Sequence, residues 1–344
     1  MSDRVKIESY QGLRGIAFLL IFISHCTFSL NEKGTNSTAY LGAFGVSLFI
    51  VLAGFLTLYN HCDSNDLTVK EQILKTVKKC YPLHILTFLL ATPISIREFI
   101  KPNINTWIYA FLNLILVQSW VPNSSVYFSN NAVSWYLSTY LFLMLISTFV
   151  VKWLKRLHTR LIIGLLILNL SMQIALALFV GERTWAHWII YICPITRVLD
   201  FVSGGGIAML LKRIDIHKRL CHMLLLSGII VSITLLILTT KNVLGNIFLA
   251  AIWSLPVYAI IIGLFDIEQE HFSKVIFQNK FVLFLGKISL ELFLIHQLVI
   301  RYVEVFARKL NMLSPYIYII AFFITVIGAS VLYSIKMERK AKND

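Results

Sequence analysis

The sequence predicts an all-α integral membrane protein, a bundle of about ten transmembrane helices with one re-entrant or interfacial segment. Three observations carry this reading. Hydrophobic residues make up 58% of the 344-residue chain and charged residues only 14%, whereas about a quarter of a soluble domain is charged. The apolar residues fall in blocks of about 20, the length that crosses a bilayer as a helix. Lys and Arg gather between the blocks, as they do in loops held on the cytoplasmic side.

The blocks cover roughly residues 12–30, 39–59, 81–99, 104–120, 133–151, 161–180, 194–211, 221–239, 243–265, 281–300 and 314–335. The first lacks a strong basic leader and an Ala-x-Ala exit, so it is expected to be retained as a span. Four basic segments are expected inside: 60–80 with Lys70, Lys75, Lys78 and Lys79; 152–160 with Lys152, Lys155, Arg156 and Arg160; 212–220 with Lys212, Arg213, Lys218 and Arg219; and the tail with Lys336, Arg339, Lys340 and Lys342. Three blocks lie between the first two of these segments, so parity requires that one does not cross. The block 104–120 is interrupted by Asn105, Asn113 and Gln118 and is the one expected to be re-entrant or interfacial. About ten crossings with both termini inside then follow, with the uncharged loop 121–132 outside.

The net charge of +14 is accounted for by these loops, and no nucleic-acid partner is expected. The five cysteines, Cys26, Cys62, Cys80, Cys193 and Cys221, are scattered without a CxxC pair. Neither a disulfide framework nor a metal site is expected from them. No internal repeat is visible, and the polar stretches are too short to hold a core of their own. Residues 1–344 therefore read as a single transmembrane domain whose work is done by the bundle and its short loops.

Ionisable residues inside spans are costly and mark function by default. The first span holds Arg14 and His25, 11 residues apart. That is three helical turns plus about 20°, so they share a face, roughly 16 Å apart along the axis. They either line a polar cavity or sit at the two headgroup layers, Arg14 by snorkelling. Histidine suits proton transfer near neutral pH, and arginine holds anions at any depth. The pair fits acyl or phosphoryl chemistry on a hydroxyl, and equally a proton-coupled transporter. Arg197 and Asp200, at i,i+3, can pair on one helix face. Glu291 and His296 lie five residues apart, off one narrow face, and can act in a channel or in an interhelical hydrogen bond. Lys75, Lys78 and Lys79 precede Tyr81 and Pro82, where a span begins, and suit either anion binding or plain anchoring. Gly42, Gly45 and Gly54 are expected to let helices pack closely.

Six segments in order resemble the membrane-bound acyltransferase family 3. QGLRGIAFLLIFISHC at 11–26 is similar to the family's first helix, with Arg-Gly-x-Ala and a histidine near its end. GAFGVSLFIVLAGFL is similar to its second helix, KKCYPLHIL to the start of its third and VSWYLSTYLFLML to its Trp-x-Leu-Ser segment. PITRVLDFVSGGGIAMLL resembles its Arg-x-x-acid helix, and GKISLELFLIHQLVI its final element ending in histidine. Lys79 stands where the family usually has Arg, Ala53 where it usually has Ser, and Thr139-Tyr140 where many members have Val-Glu. The form without a fused extracytoplasmic esterase-like domain is expected.

The resemblance implies transfer of an acyl group, most often acetyl, from cytoplasmic acyl-CoA to a hydroxyl of a cell-surface glycan or lipid-linked saccharide. It implies His25 and Arg14 as catalytic residues. Lys75, Lys78, Lys79 and Tyr81 would bind the donor. Trp135, Arg197, Asp200, Glu291 and His296 would serve the acceptor or a channel. No permanently bound cofactor is implied; acyl-CoA, acetyl-CoA in the first instance, is a substrate. The other partners are membrane lipid and the glycan or glycolipid acceptor, and the location is the inner (plasma) membrane. A transporter or flippase of a lipid-linked saccharide would need the same intramembrane charges, and an inverted repeat would speak for it. A cysteine engineered beside Asn123 should react with an impermeant maleimide added outside, and one beside Lys155 should not. The reverse pattern would show that another segment is the non-crossing one.

Overall fold

The computed structural model describes residues 8–26, 39–61, 68–95, 104–181, 183–240, 252–265, 270–312 and 314–342. Among these residues the regular elements are all helical. Their order is α1 (Glu8–Ser24), α2 (Ala39–His61), α3 (Val69–Ala91), α4 (Ile104–Leu114), α5 (Trp135–Arg156), α6 (Thr159–Val180), α7 (Pro194–Leu211), α8 (Lys218–Thr240), α9 (Ser254–Phe265), α10 (His271–Phe277), α11 (Lys280–Lys287), α12 (Ser289–Lys309) and α13 (Ile317–Ala341). Short 3-10 turns at Gln118–Trp120 and Ala132–Ser134 and a four-residue helical turn at Ser124–Tyr127 precede α5, and a π-helix at Trp188–Ile192 leads into α7. Six described helices are long and apolar enough to cross a membrane, and α11 with α12 would make a seventh if the bent pair is one span. The protein is an all-α membrane protein.

The block 104–120 does not form one continuous helix. α4 has 11 residues, about 16 Å long and too short for a hydrocarbon core of about 30 Å. It exposes Ile104, Trp107, Ile108 and Phe111 while burying Ala110 and Asn113. Leu116 then turns the chain at φ 58°. The polar interruptions explain the break. Asn113 Nδ2 donates to Ser129 O at 2.7 Å and lies 3.1 Å from Ser134 Oγ; Gln118 Nε2 donates to Ser134 Oγ at 3.1 Å. Both side-chain NH2 groups are spent on the loop ahead of α5, where a lipid-facing helix could not satisfy them.

Two expectations are corrected. The basic segment 60–80 is not all loop, because α3 starts at Val69 and carries Lys70, Lys75, Lys78 and Lys79. A cap sets its start: Thr68 Oγ1 accepts the Glu71 amide at 3.3 Å and donates to the Glu71 carboxylate at 2.8 Å. The block 281–300 is not straight, because α11 and α12 meet at an 82° bend at Ile288. The first span's helix ends at Ser24, so His25 stands in the turn after it, and residues 27–30 of the expected block 12–30 lie outside the described residues. Residues 243–251 of the block 243–265 also lie outside them.

Close backbone contacts position the site. Gly54 of α2 faces the carbonyl of Phe201, and Gly204 of α7 faces that of Val51, so these helices interlock. Gly45 packs on Ala17 and Ile21, and Gly42 on Ser24, as close packing requires. On the other side of α1, Gly12 faces Phe277 O, Gly15 faces Val282 O and Gly286 faces Gln11 O. These contacts lock α1 to the α10–α11 arm, and the bend at Ile288 then brings the start of α12 beside Arg14. A methyl at 286 has nowhere to go. Gly286→Ala should lower stability by about 1–3 kcal/mol, read as a lower melting temperature in detergent, while Gly164→Ala, with open space around it, should not. Equal melting temperatures for the two variants would contradict this packing.

Candidate active site

Two polar centres lie along α12, at its start and near its middle. At the start, Arg14 of α1 donates from Nη2 to Ser289 Oγ at 2.7 Å. This pair opens onto a cavity of about 280 Å³ lined by Arg14, Lys75, Lys79, Ser289, Tyr136, Tyr140 and neighbouring side chains. α3 presents Gln72, Lys75, Thr76 and Lys79 to it, the i, i+3, i+4, i+7 face of a helix. Lys78 is exposed on another face and does not line the cavity. Nor does Tyr81, whose hydroxyl donates to Leu114 O at 3.2 Å and ties α4 to α3.

Two turns further along α12, the rings of His25 and His296 lie 5.1 Å apart between centroids. The Gln297 amide meets His25 Nδ1 at 3.3 Å, which leaves His25 Nε2 for other partners. His296 Nδ1 lies 2.7 Å from Phe293 O, which can only accept, so that nitrogen carries the proton. Its Nε2 is then a lone-pair acceptor; it is buried, with no hydrogen-bond partner among the described residues. Phe18 and Phe22 of α1 pack on the His296 ring and make the pocket apolar.

Three of the remaining candidates, Arg197, Asp200 and Trp135, are placed apart from these centres. Arg197 and Asp200 form the i,i+3 pair on α7, at 2.6 Å and almost fully buried. Arg197 also donates from Nε to Tyr191 O at 2.8 Å and from Nη2 to Ile190 O at 2.9 Å, closing the π-helix on itself. Ser254 Oγ lies 3.3 Å from Asp200 and 2.6 Å from Gln173 Oε1. Trp135 is buried against Tyr191, with ring centroids 5.0 Å apart. None of these three candidates lines the cavity. Asp200 is engaged by Arg197, and Arg14 bonds Ser289. Glu291 is buried and paired with Lys336 of α13 at 2.7 Å, an ion pair and not a bond to His296.

Sequence reasoning missed Tyr136, Tyr140, Ser289, Phe293 and Gln297. Gln72 and Thr76 were within reach, because they repeat at the spacing of Lys75 and Lys79 on one helix face. The residues from α5 and α12 had no such signal, since only the tertiary fold brings them to α1 and α3.

The family model for an acyltransferase domain matches residues 7–334. Acyltransferase MdmB of Streptomyces mycarofaciens is 34% identical over 142 residues, 39% of this chain and 36% of that protein, so the match spans little more than a third of the relative. No solved structure matches the chain significantly. With the family model extending over nearly the whole chain, this protein belongs to the acyltransferase family that its six motifs resemble.

Proposed function

We propose that this protein is an integral-membrane O-acyltransferase that moves an acyl group, acetyl in the first instance, from acyl-CoA to a hydroxyl of a cell-surface glycan or lipid-linked saccharide. One observation carries the proposal: a cationic cavity and a histidine pair lie in sequence along α12, with the Phe293 ring lining the one and packed against the other. Arg14, Lys75 and Lys79 suit the phosphates of a CoA thioester, arginine by its fork and the lysines as point charges. The positive-inside rule places α3's lysines and the basic end of α13 on the cytoplasmic side of the inner membrane, where acyl-CoA is available.

At the other centre His25 Nε2 takes the proton of the acceptor hydroxyl, and the oxygen attacks the thioester carbonyl. The acyl carbon–sulfur bond breaks, the acyl carbon–oxygen bond forms, and the proton passes to the CoA sulfur. His296, held by Phe293 O, offers a second proton acceptor beside it. Arg14 is about 16 Å from His25 along α1, so it binds donor and does not stabilise the reacting oxygen.

Mass spectrometry of surface glycans from cells with and without the protein should show an acyl mass difference that names group and acceptor. Purified protein that never releases CoA, with or without acceptor, would point to transport of a lipid-linked saccharide. His25→Ala should insert normally and lose at least about 10²-fold in acylation; a well-expressed variant with normal glycan acylation would sink the assignment. Arg14→Lys should raise the KM for acyl-CoA by about tenfold, the worth of one charge-assisted hydrogen bond, and leave the acceptor KM close to wild type. Unchanged donor KM with normal stability would remove Arg14 from the donor site.

A further inference from the structure

We propose that Phe293, with Phe49 and Tyr136, forms an aromatic septum that shields the donor thioester from water and so decides between acyl transfer and acyl-CoA hydrolysis. The proposal rests on the acyl-CoA reading of the cavity. Its geometry is independent of that reading. Ser289, Phe293 and His296 follow at i, i+4 and i+7 on one face of α12. Ser289 belongs to the Arg14 end and His296 to the histidine pair, about 10 Å further along the axis. Phe293 is the residue between them, and it is 5% exposed.

Three helices supply the septum. Phe49 comes from α2, Tyr136 from α5 and Phe293 from α12, and all three line the cavity. The Phe293 ring lies 5.0 Å from Tyr136 and 6.2 Å from Phe49, between centroids. It also lies 5.8 Å from His296. One ring therefore touches the cavity wall on one side and the imidazole on the other. Aromatic pairs in such tilted and edge-on contacts are worth more than their area burial alone. The same residue's carbonyl accepts the His296 Nδ1 proton at 2.7 Å. Barrier and imidazole orientation are thus set by one residue.

The chemical need is plain. A thioester beside a proton acceptor hydrolyses if water reaches it: water attacks the carbonyl carbon, the carbon–sulfur bond breaks, and acid and thiol leave. Excluding water until the acceptor is in place prevents that side reaction. For transfer, the Phe293 ring turns aside so that the acyl carbon meets the acceptor oxygen. Removing the ring leaves the two centres joined by a permanent opening.

The test measures CoA thiol release from acetyl-CoA without acceptor, using the full-length protein in lipid nanodiscs, with acetyl-CoA binding measured separately. Phe293→Ala should raise acceptor-independent release by at least about tenfold, a barrier change of about 1.4 kcal/mol. Phe293→Tyr, which restores a ring, should bring the leak back down. Phe49→Ala should leak in the same direction, and it decides the matter if Phe293→Ala does not fold. Folded variants that bind acetyl-CoA and leak no more than wild type would overturn the septum and leave the donor reading intact. Wild-type protein that does not bind acetyl-CoA would overturn the donor reading and the septum with it.

Discussion

The site depends on one arrangement, α1 lying alongside α12 with two side-chain rungs between them. Arg14 bonds Ser289 and His25 bonds Gln297. Because both partners rise in number together, the helices run parallel. The rungs are about 16 Å apart on α1 and about 12 Å apart on α12. A parallel neighbour in a bundle of short loops cannot be the next helix in sequence, and here α1 pairs with a helix near the far end of the chain. Glycine contacts between α1 and the α10–α11 arm hold the pairing, since any side chain at Gly12 or Gly286 would separate the backbones. The lower rung fixes the cationic cavity and the upper one fixes the histidine pair.

The buried charges divide into those that build the fold and those that face a cavity. Arg197 is spent entirely on the protein: a carboxylate, two backbone carbonyls and the face of Tyr191. A guanidinium so bonded can be kept away from water, because each of its three nitrogens has found an acceptor inside. Its task is to hold the carbonyls that the π-helix leaves open. Arg14 bonds Ser289 from one nitrogen and faces the cavity that Lys75 and Lys79 also line. Position in the membrane does not separate the two arginines; the number of acceptors around each does.

Much of this was legible in the sequence, and the parts that were not share a cause. The interruption of 104–120 follows from Asn113 and Gln118, whose amides no lipid can satisfy. The Arg197–Asp200 pair follows from i,i+3 spacing, and the contacts of Gly45 and Gly54 from the absence of a side chain. The start of α3 was hidden because clustered lysines were read as loop, although Thr68 and Glu71 form a cap ahead of them. The bend at Ile288 falls within Gly286-Lys287-Ile288-Ser289, a polar and glycine interruption too short to outweigh the apolar residues on either side of it. Phe293 reads as an ordinary core aromatic until the cavity appears on one side of it and His296 on the other. Tertiary neighbours, not local propensity, make these residues what they are.

The ion pair between Glu291 and Lys336 makes the last helix answerable to the first turn of α12. Glu291 sits two residues from Ser289 and has its carboxylate inside the bundle, and the lysine that neutralises it arrives from 45 positions later. Inserting or deleting a single residue in α13 ahead of Lys336 would turn that side chain by about 100° about the helix axis. The carboxylate would then be stranded without its partner, two residues from Ser289 of the cationic cavity. Variation in the length of this helix is therefore tolerable beyond Lys336 and not before it, so that natural relatives should differ there in their tails and not in their register.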